Sequence, residues 1–212
     1  SVITRQSNSN HFREWNDVMA SIAKNFSISD RKYFAGMVDG DGSFALHARK
    51  DRSNPILRIG LELRHDHAEP VTKLAELFDL TISKKIYLAA KNTQPSLKVE
   101  LSGVKSKMFL FTIYPYLLEK KERARDILIK LDCPKKNLPK KKNFSFEYLA
   151  GYTDAEGCVR FNLKHQKTKI GKTTSSYSMS YELISNDNAH LQFIKKQLIN
   201  QGFDHFRKDY VD

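Results

Sequence analysis

Four acidic residues in two matching settings carry the clearest chemistry in this chain. Phe34-Ala-Gly-Met-Val-Asp-Gly-Asp-Gly42 and Leu149-Ala-Gly-Tyr-Thr-Asp-Ala-Glu-Gly157 align without a gap, setting Asp39 and Asp41 against Asp154 and Glu156. Each copy reads as the end of a helix: Ser29-Asp30 is expected to cap the first, Phe144-Ser145 to open the second, and Gly42 and Gly157 to stop them. Acid at a helix C-terminus opposes the backbone dipole, where a purely structural helix would favour lysine. Ala35-Gly36 and Ala150-Gly151 carry almost no side chain, so the two helices can pack with backbones close and acidic ends side by side. Carboxylates held together are tolerated only if one binds a proton or both bind a cation, and hard oxygen donors favour Mg²⁺.

Both stretches resemble the LAGLIDADG motif, the two-helix core of the homing endonucleases and of related intron maturases. The resemblance implies that the eighth motif position, Asp41 and Glu156, carries the metal-binding carboxylates, and that the carbonyls of the seventh, Gly40 and Ala155, add to the metal site. The sixth position falls on Asp39 and Asp154, which read as structural or capping residues. The bland alternative for the whole repeat is a tandem packing motif with solvated acidic ends. By the same resemblance, Pro115-Tyr-Leu-Leu-Glu-Lys-Lys121 matches the family segment that sends a lysine toward the cleavage site, which is Lys120 here with Lys121 next in line. His65 falls where the family places a polar residue near the active-site water. An exposed helical lysine is the ordinary reading of Lys120.

The elements that must position these groups follow from periodicity. Residues 1–29 form an N-terminal arm in which Phe12, Trp15, Met19 and Ile22 recur at helical spacing. The first half, 30–130, continues after its motif helix with a strand in which Phe44, Leu46 and Ala48 alternate with Ser43, Ala45, His47 and Arg49. A second strand follows, with Leu57, Ile59, Leu61 and Leu63 facing inward and Arg58, Gly60, Glu62 and Arg64 outward. A helix over 68–78 crosses back to strands near 84–89 and 96–102, whose outward residues are Lys85, Tyr87, Lys98 and Glu100. Two more helices close an αββαββα plan, the half-domain of the resembled family. Residues 131–143, with Pro134, Pro139 and five lysines, read as a basic linker whose Lys140, Lys141 and Lys142 are expected to contact phosphate or merely solvent.

The second half, 144–212, repeats the pattern. Val159, Phe161 and Leu163 should point inward, as should Met179, Tyr181 and Leu183, leaving Cys158, Arg160, Asn162, Lys164 and Glu182 outward. Glu182 matches Glu62, and Ser185 takes the place of His65. Far fewer residues follow Glu156 than separate Asp41 from the linker, and only Phe206–Val211 reads as the start of a third strand. This half is therefore expected to be incomplete, either as a fragment or as an abbreviated domain.

Composition narrows the partners. The 212 residues carry 36 Lys+Arg against 24 Asp+Glu, a formal +12 that favours a polyanion over an acidic lipid or a neutral small molecule. Cys133 and Cys158 are too few and too differently placed for a disulfide framework or a zinc site, and read as reduced intracellular thiols. No apolar run approaches the ~20 residues of a membrane span. The chain opens on Ser1 with no signal peptide, so the start of the gene product is expected to be missing.

Pattern and resemblance together imply an α+β fold, a pseudo-symmetric pair of αββαββα half-domains with two motif helices at the interface and antiparallel sheets forming a DNA-binding saddle. The resemblance implies a monomeric, intron-encoded, site-specific endonuclease that hydrolyses double-stranded DNA with Mg²⁺, Ca²⁺ or Mn²⁺ substituting. It also implies an intracellular, organellar setting. Outward residues of mixed charge suit base edges in a major groove, where Arg pairs with guanine and Glu accepts from cytosine, although a solvated sheet face explains any one of them. An RNA-binding maturase of the host intron and a non-catalytic DNA-binding regulator remain open alternatives.

Overall fold

The computed structural model describes residues 25–49, 52–64, 68–85, 95–133, 135–140, 143–167, 173–185 and 187–203. The arm with Phe12, Trp15, Met19 and Ile22 lies outside these residues, as do His65, Tyr87, Pro134, Lys141, Lys142 and Phe206–Val211, and the side chains of Arg49, Lys85, Asn162, Leu163 and Lys164 are not described.

The first motif helix, α1 (Ile28–Asp39), starts nearly two turns before the motif. Ser27 is its cap, two residues earlier than the expected Ser29. Its hydroxyl accepts the Asp30 N–H at 3.1 Å while the Asp30 carboxylate accepts the Ser27 N–H at 3.3 Å, so Asp30 closes a reciprocal capping box from the first turn. Gly40 is the C-cap, two residues ahead of the expected Gly42.

The alternating residues then form β1 (Ser43–Arg49) and β2 (Arg52–Arg64), and the amphipathic helix α2 (Glu69–Phe78) leads to β3 (Ile82–Lys85) and β4 (Ser96–Ser102). The four strands make one antiparallel sheet in the order β1-β2-β4-β3. Leu57, Ile59, Leu61 and Leu63 are buried as their spacing requires, together with Val99 and Leu101 of β4. Against this face pack Val71, Leu74 and Phe78 of α2 and the apolar helix α3 (Val104–Ile113). Phe26, Phe34 and Phe109 form an aromatic centre, with ring centroids 5.6 Å apart for Phe26–Phe34 and 6.1 Å for Phe26–Phe109. A 3₁₀ turn at Tyr114–Tyr116, where Pro115 ends the regular helix, redirects the chain into α4 (Lys121–Lys130).

The second motif helix, α5 (Phe146–Glu156), is capped by Ser145, whose hydroxyl accepts the Tyr148 N–H at 3.2 Å. A hairpin of β5 (Gly157–Lys167) and β6 (Thr173–Leu183) and the helix α6 (Asn188–Asn200) follow. The pairing is as the alternation requires, Val159 opposite Tyr181 and Phe161 opposite Met179. The burial is not: Phe161 is 68% and Met179 75% exposed, and Val159 and Tyr181 are exposed too. In the first half the equivalent face lies under α3 and is widened by β4 and β3. Among the described residues β5 and β6 stand as a pair, and α6 turns His190, Ile194 and Leu198 toward the core at the helix pair. Alternation fixes which residues share a face but not whether anything covers it.

Candidate active site at the paired helix ends

The motif helices α1 and α5 meet backbone to backbone. A Cβ placed on Gly36 would lie 2.0 Å from the Tyr148 carbonyl oxygen, and one on Gly151 would lie 1.9 Å from the Tyr33 carbonyl oxygen, so only glycine fits at either position. The contact is reciprocal. Tyr33 and Tyr148 each stand one residue before their motif, and each donates its hydroxyl to the sixth-position carboxylate of the other helix, Tyr33 to Asp154 at 2.5 Å and Tyr148 to Asp39 at 2.8 Å. The alanines beside the glycines do different work: Ala35 is buried in the core of the first half, whereas Ala150 is exposed. Ala150 is thereby corrected from an interface residue to a residue on the open side of α5, because the helical step that turns Gly151 toward α1 turns its neighbour away.

Asp39 is 1% exposed and accepts four hydrogen bonds. Besides Tyr148, its carboxylate takes the N–H groups of Leu118 at 2.7 Å, Glu119 at 3.0 Å and Lys120 at 2.9 Å, which anchors the segment entering α4 to the end of α1. Its repeat partner Asp154 is exposed and bonded to Tyr33. The anchoring delivers Lys120 to the same place from the other side. Its Nζ donates to the carbonyl oxygens of Val38 at 2.8 Å, Gly40 at 2.7 Å and Gly42 at 2.9 Å. The last turn of α1 has no basic residue of its own, so the cation the dipole calls for arrives from 80 residues downstream. Burial pulls the Lys120 ammonium below the usual lysine range, against the pull of Asp39, Glu119, Glu156 and Asp41. Lys121, by contrast, is fully buried, its Nζ donating to the Pro115 carbonyl at 2.9 Å and lying 5.0 Å from the Tyr114 ring centroid. It supports the turn.

The eighth-position acids Asp41 and Glu156 lie near enough to feel each other's charge. A Cβ on Gly40 would sit 2.5 Å from the Ala155 Cβ and 2.9 Å from the Glu156 Cγ, so the two acidic ends touch. Burial, then the neighbouring Glu156, and more weakly Glu62, push the Asp41 carboxyl up to about 6, with Lys120 opposing them. The groups here that could hold a cation are the Asp41 and Glu156 carboxylates with the Gly40 and Ala155 carbonyls, hard oxygen donors of the kind Mg²⁺ takes, and charge repulsion of this sort is what a cation relieves. Among the described residues no three His, Cys, Asp or Glu side chains gather into a metal cluster, so any cation here would lean on backbone carbonyls as well.

No protein-family model and no curated protein matches the sequence. Solved structures do match. The LAGLIDADG meganuclease I-AabMI, bound to uncleaved DNA, superposes with a TM-score of 0.52 at 17% identity, covering 85% of this chain and 75% of its own. The homing endonuclease I-LtrWI, bound to target DNA, gives 0.52 at 14% identity over 86% of this chain and 72% of its own. I-GzeII, in complex with its DNA target, gives 0.51 at 16% over 81% and 71%. The chain has the LAGLIDADG homing endonuclease fold.

The outward strand faces carry the other residues that the sequence singled out. In the first sheet the cross-strand register sets His47, Arg58, Glu62, Arg64, Lys98 and Glu100 on one face, with the backbone of Lys85 in line with Ser96. Arg58 lies 3.7 Å and Lys98 3.6 Å from the Glu100 carboxylate, and Ser96 donates to Glu62 at 2.6 Å. In the second sheet Cys158, Arg160 and Glu182 share a face with the backbone positions of Asn162 and Lys164, and Arg160 pairs with Glu182 at 3.1 Å. Sequence reasoning missed a buried polar cluster beneath the site. Tyr152 donates to Glu119 at 3.1 Å, and the His190 Nε2 lies 3.2 Å from the Tyr148 hydroxyl and 3.9 Å from Glu119. Tyr33 and Tyr148 were open to discovery, since the repeat extends one residue N-terminal with tyrosine in both copies. Glu119 and His190 carry no such signal.

Proposed function

We propose that this chain is a site-specific endonuclease of double-stranded DNA, and the convergence of Asp41 and Glu156 at two touching helix ends is the observation that carries the reading. The fold is one whose solved examples I-AabMI, I-LtrWI and I-GzeII are complexes with DNA. The formal +12 supports a polyanionic partner, and the unlike outward faces of the two sheets fit a long, non-palindromic target read as a monomer. Residues 131–143 would join the two halves as a linker along the duplex. An intron-encoded origin and an organellar setting belong to the same proposal.

Asp41, Glu156 and the Gly40 and Ala155 carbonyls would hold Mg²⁺, which when bound supplies positive charge to an attacking water and to the leaving 3′ oxygen of a phosphodiester. The protein's own part is positional. Gly36 and Gly151 let the acidic ends approach, Asp39 and Tyr148 lock the end of α1 to the segment before α4, and the outward strand residues hold the duplex over the carboxylates.

The test is incubation with a plasmid bearing the insertion junction of the chain's own host intron, with Mg²⁺ or Ca²⁺. A double-strand break in Mg²⁺, and binding with slowed cleavage in Ca²⁺, is the expected result. Glu156→Gln should abolish cutting while DNA affinity stays within about tenfold, roughly 1.4 kcal/mol. Wild-type cutting by that variant would overturn the assignment.

A further inference from the structure

The three carbonyl oxygens that receive Lys120 sit at the C-terminal end of α1, and one of them, Gly40, is among the groups assigned above to a metal site. An ammonium has three protons, and the three contacts, all between 2.7 and 2.9 Å, engage every one of them. The group is not reaching outward toward a phosphate. The carboxylates of Asp39, Glu119, Glu156 and Asp41 lie near enough to draw on its charge, and the nearest helix end supplies no cation of its own. Its backbone is pinned by the Asp39 carboxylate, so the side chain is aimed rather than merely nearby.

We propose that the Lys120 ammonium is an internal counter-cation, which closes the carbonyl end of the first motif helix in the metal-free protein and competes with a divalent cation for the oxygen-lined position beside Asp41 and Glu156. Two positive charges that share the Gly40 oxygen repel at short range, so occupation by one weakens the other. Lys120 then serves as a positioning residue that keeps like-charged helix ends together until a divalent cation replaces its charge. This inference rests on the reading that the helix ends take such a cation.

The full chain is examined by thermal melting and by calorimetric Ca²⁺ titration, without DNA. Lys120→Met should lower the melting temperature in chelator, bind Ca²⁺ several-fold more tightly than wild type, and gain more stability from it. The double variant Lys120→Met/Asp41→Asn should recover much of the lost metal-free stability. Wild-type protein provides a second readout that needs no variant to fold: the Lys120 side-chain ammonium should give a protected nitrogen resonance that shifts or vanishes as Ca²⁺ saturates. Equal Ca²⁺ affinity in wild type and Lys120→Met, or an ammonium resonance untouched by saturating Ca²⁺, would overturn the competition while leaving the cation site standing. Absence of any Ca²⁺ binding in either protein would overturn both the competition and the cation site.

Discussion

Identical residues at equivalent positions of the repeat meet different fates. Asp39 is buried under four donors because a neighbouring segment presents its backbone N–H groups, while Asp154, which meets no such segment among the described residues, is exposed and keeps the tyrosine contact. Asp41 shows the cost of the site. Its carboxyl titrates near 3.8 in an unfolded chain and about 6 in the fold, so between those values the folded protein holds more protons than the unfolded one, and stability falls as pH rises through that window. Asp41→Asn should therefore stabilise the metal-free protein at neutral pH. The effect should be about 1 kcal/mol after discounting for the partly solvated carboxyl, or roughly 2–4 °C in melting temperature. Below the unfolded value of 3.8 the variant and wild type should melt alike. Chemical denaturation across the pH range checks both limbs. A variant less stable than wild type at neutral pH would show that Asp41 contributes more through its contacts than it costs through its charge.

The pairing of α1 and α5 depends on absent side chains more than on apolar ones. The contact runs through Gly36 and Gly151 against tyrosine carbonyls, with no flexible side chain that can yield. Gly151→Ala is the smallest possible intrusion, yet its methyl would strike backbone at 1.9 Å. Overpacking usually costs about 1–3 kcal/mol, and this change belongs at the upper end because both helices must separate. Stability and DNA cleavage should fall together, since the same separation moves Glu156 from Asp41. A melting temperature and cutting rate unchanged from wild type would place the glycines outside the contact.

The two sheets of the molecule are unlike, four strands in one and two in the other among the described residues. The first half encloses a complete core, and the second presents Val159, Phe161, Met179 and Tyr181 on an exposed sheet face. Large exposed apolar patches promote self-association. Replacing Phe161 and Met179 by serine should raise the concentration at which the chain aggregates, with little change in melting temperature, as light scattering and thermal melts would show. Net charge acts at the same scale. If the outward face of the first sheet tracks a duplex, Arg64→Ala should weaken matched and unmatched DNA alike, and lower the slope of affinity against salt by about 0.9 if it meets a phosphate. Arg58→Ala should instead cost about 1–3 kcal/mol on the preferred sequence only. Identical salt slopes and preferences in both variants would remove the division between positioning and reading.

The sequence by itself determined the repeat, the small residues that let its two helices approach, and which residues of β2 share a face, because repeat spacing and strand alternation are local properties. Tertiary structure decided the rest. That Asp39 grips the N–H of Lys120 across 81 positions, and that the Lys120 ammonium returns to the carbonyls of α1, depends on the path the chain takes after Pro115, which no local pattern encodes. Alternation placed Val159 and Phe161 on the correct face yet could not say what lay against it. Period is a property of the strand, whereas burial is a property of its neighbours.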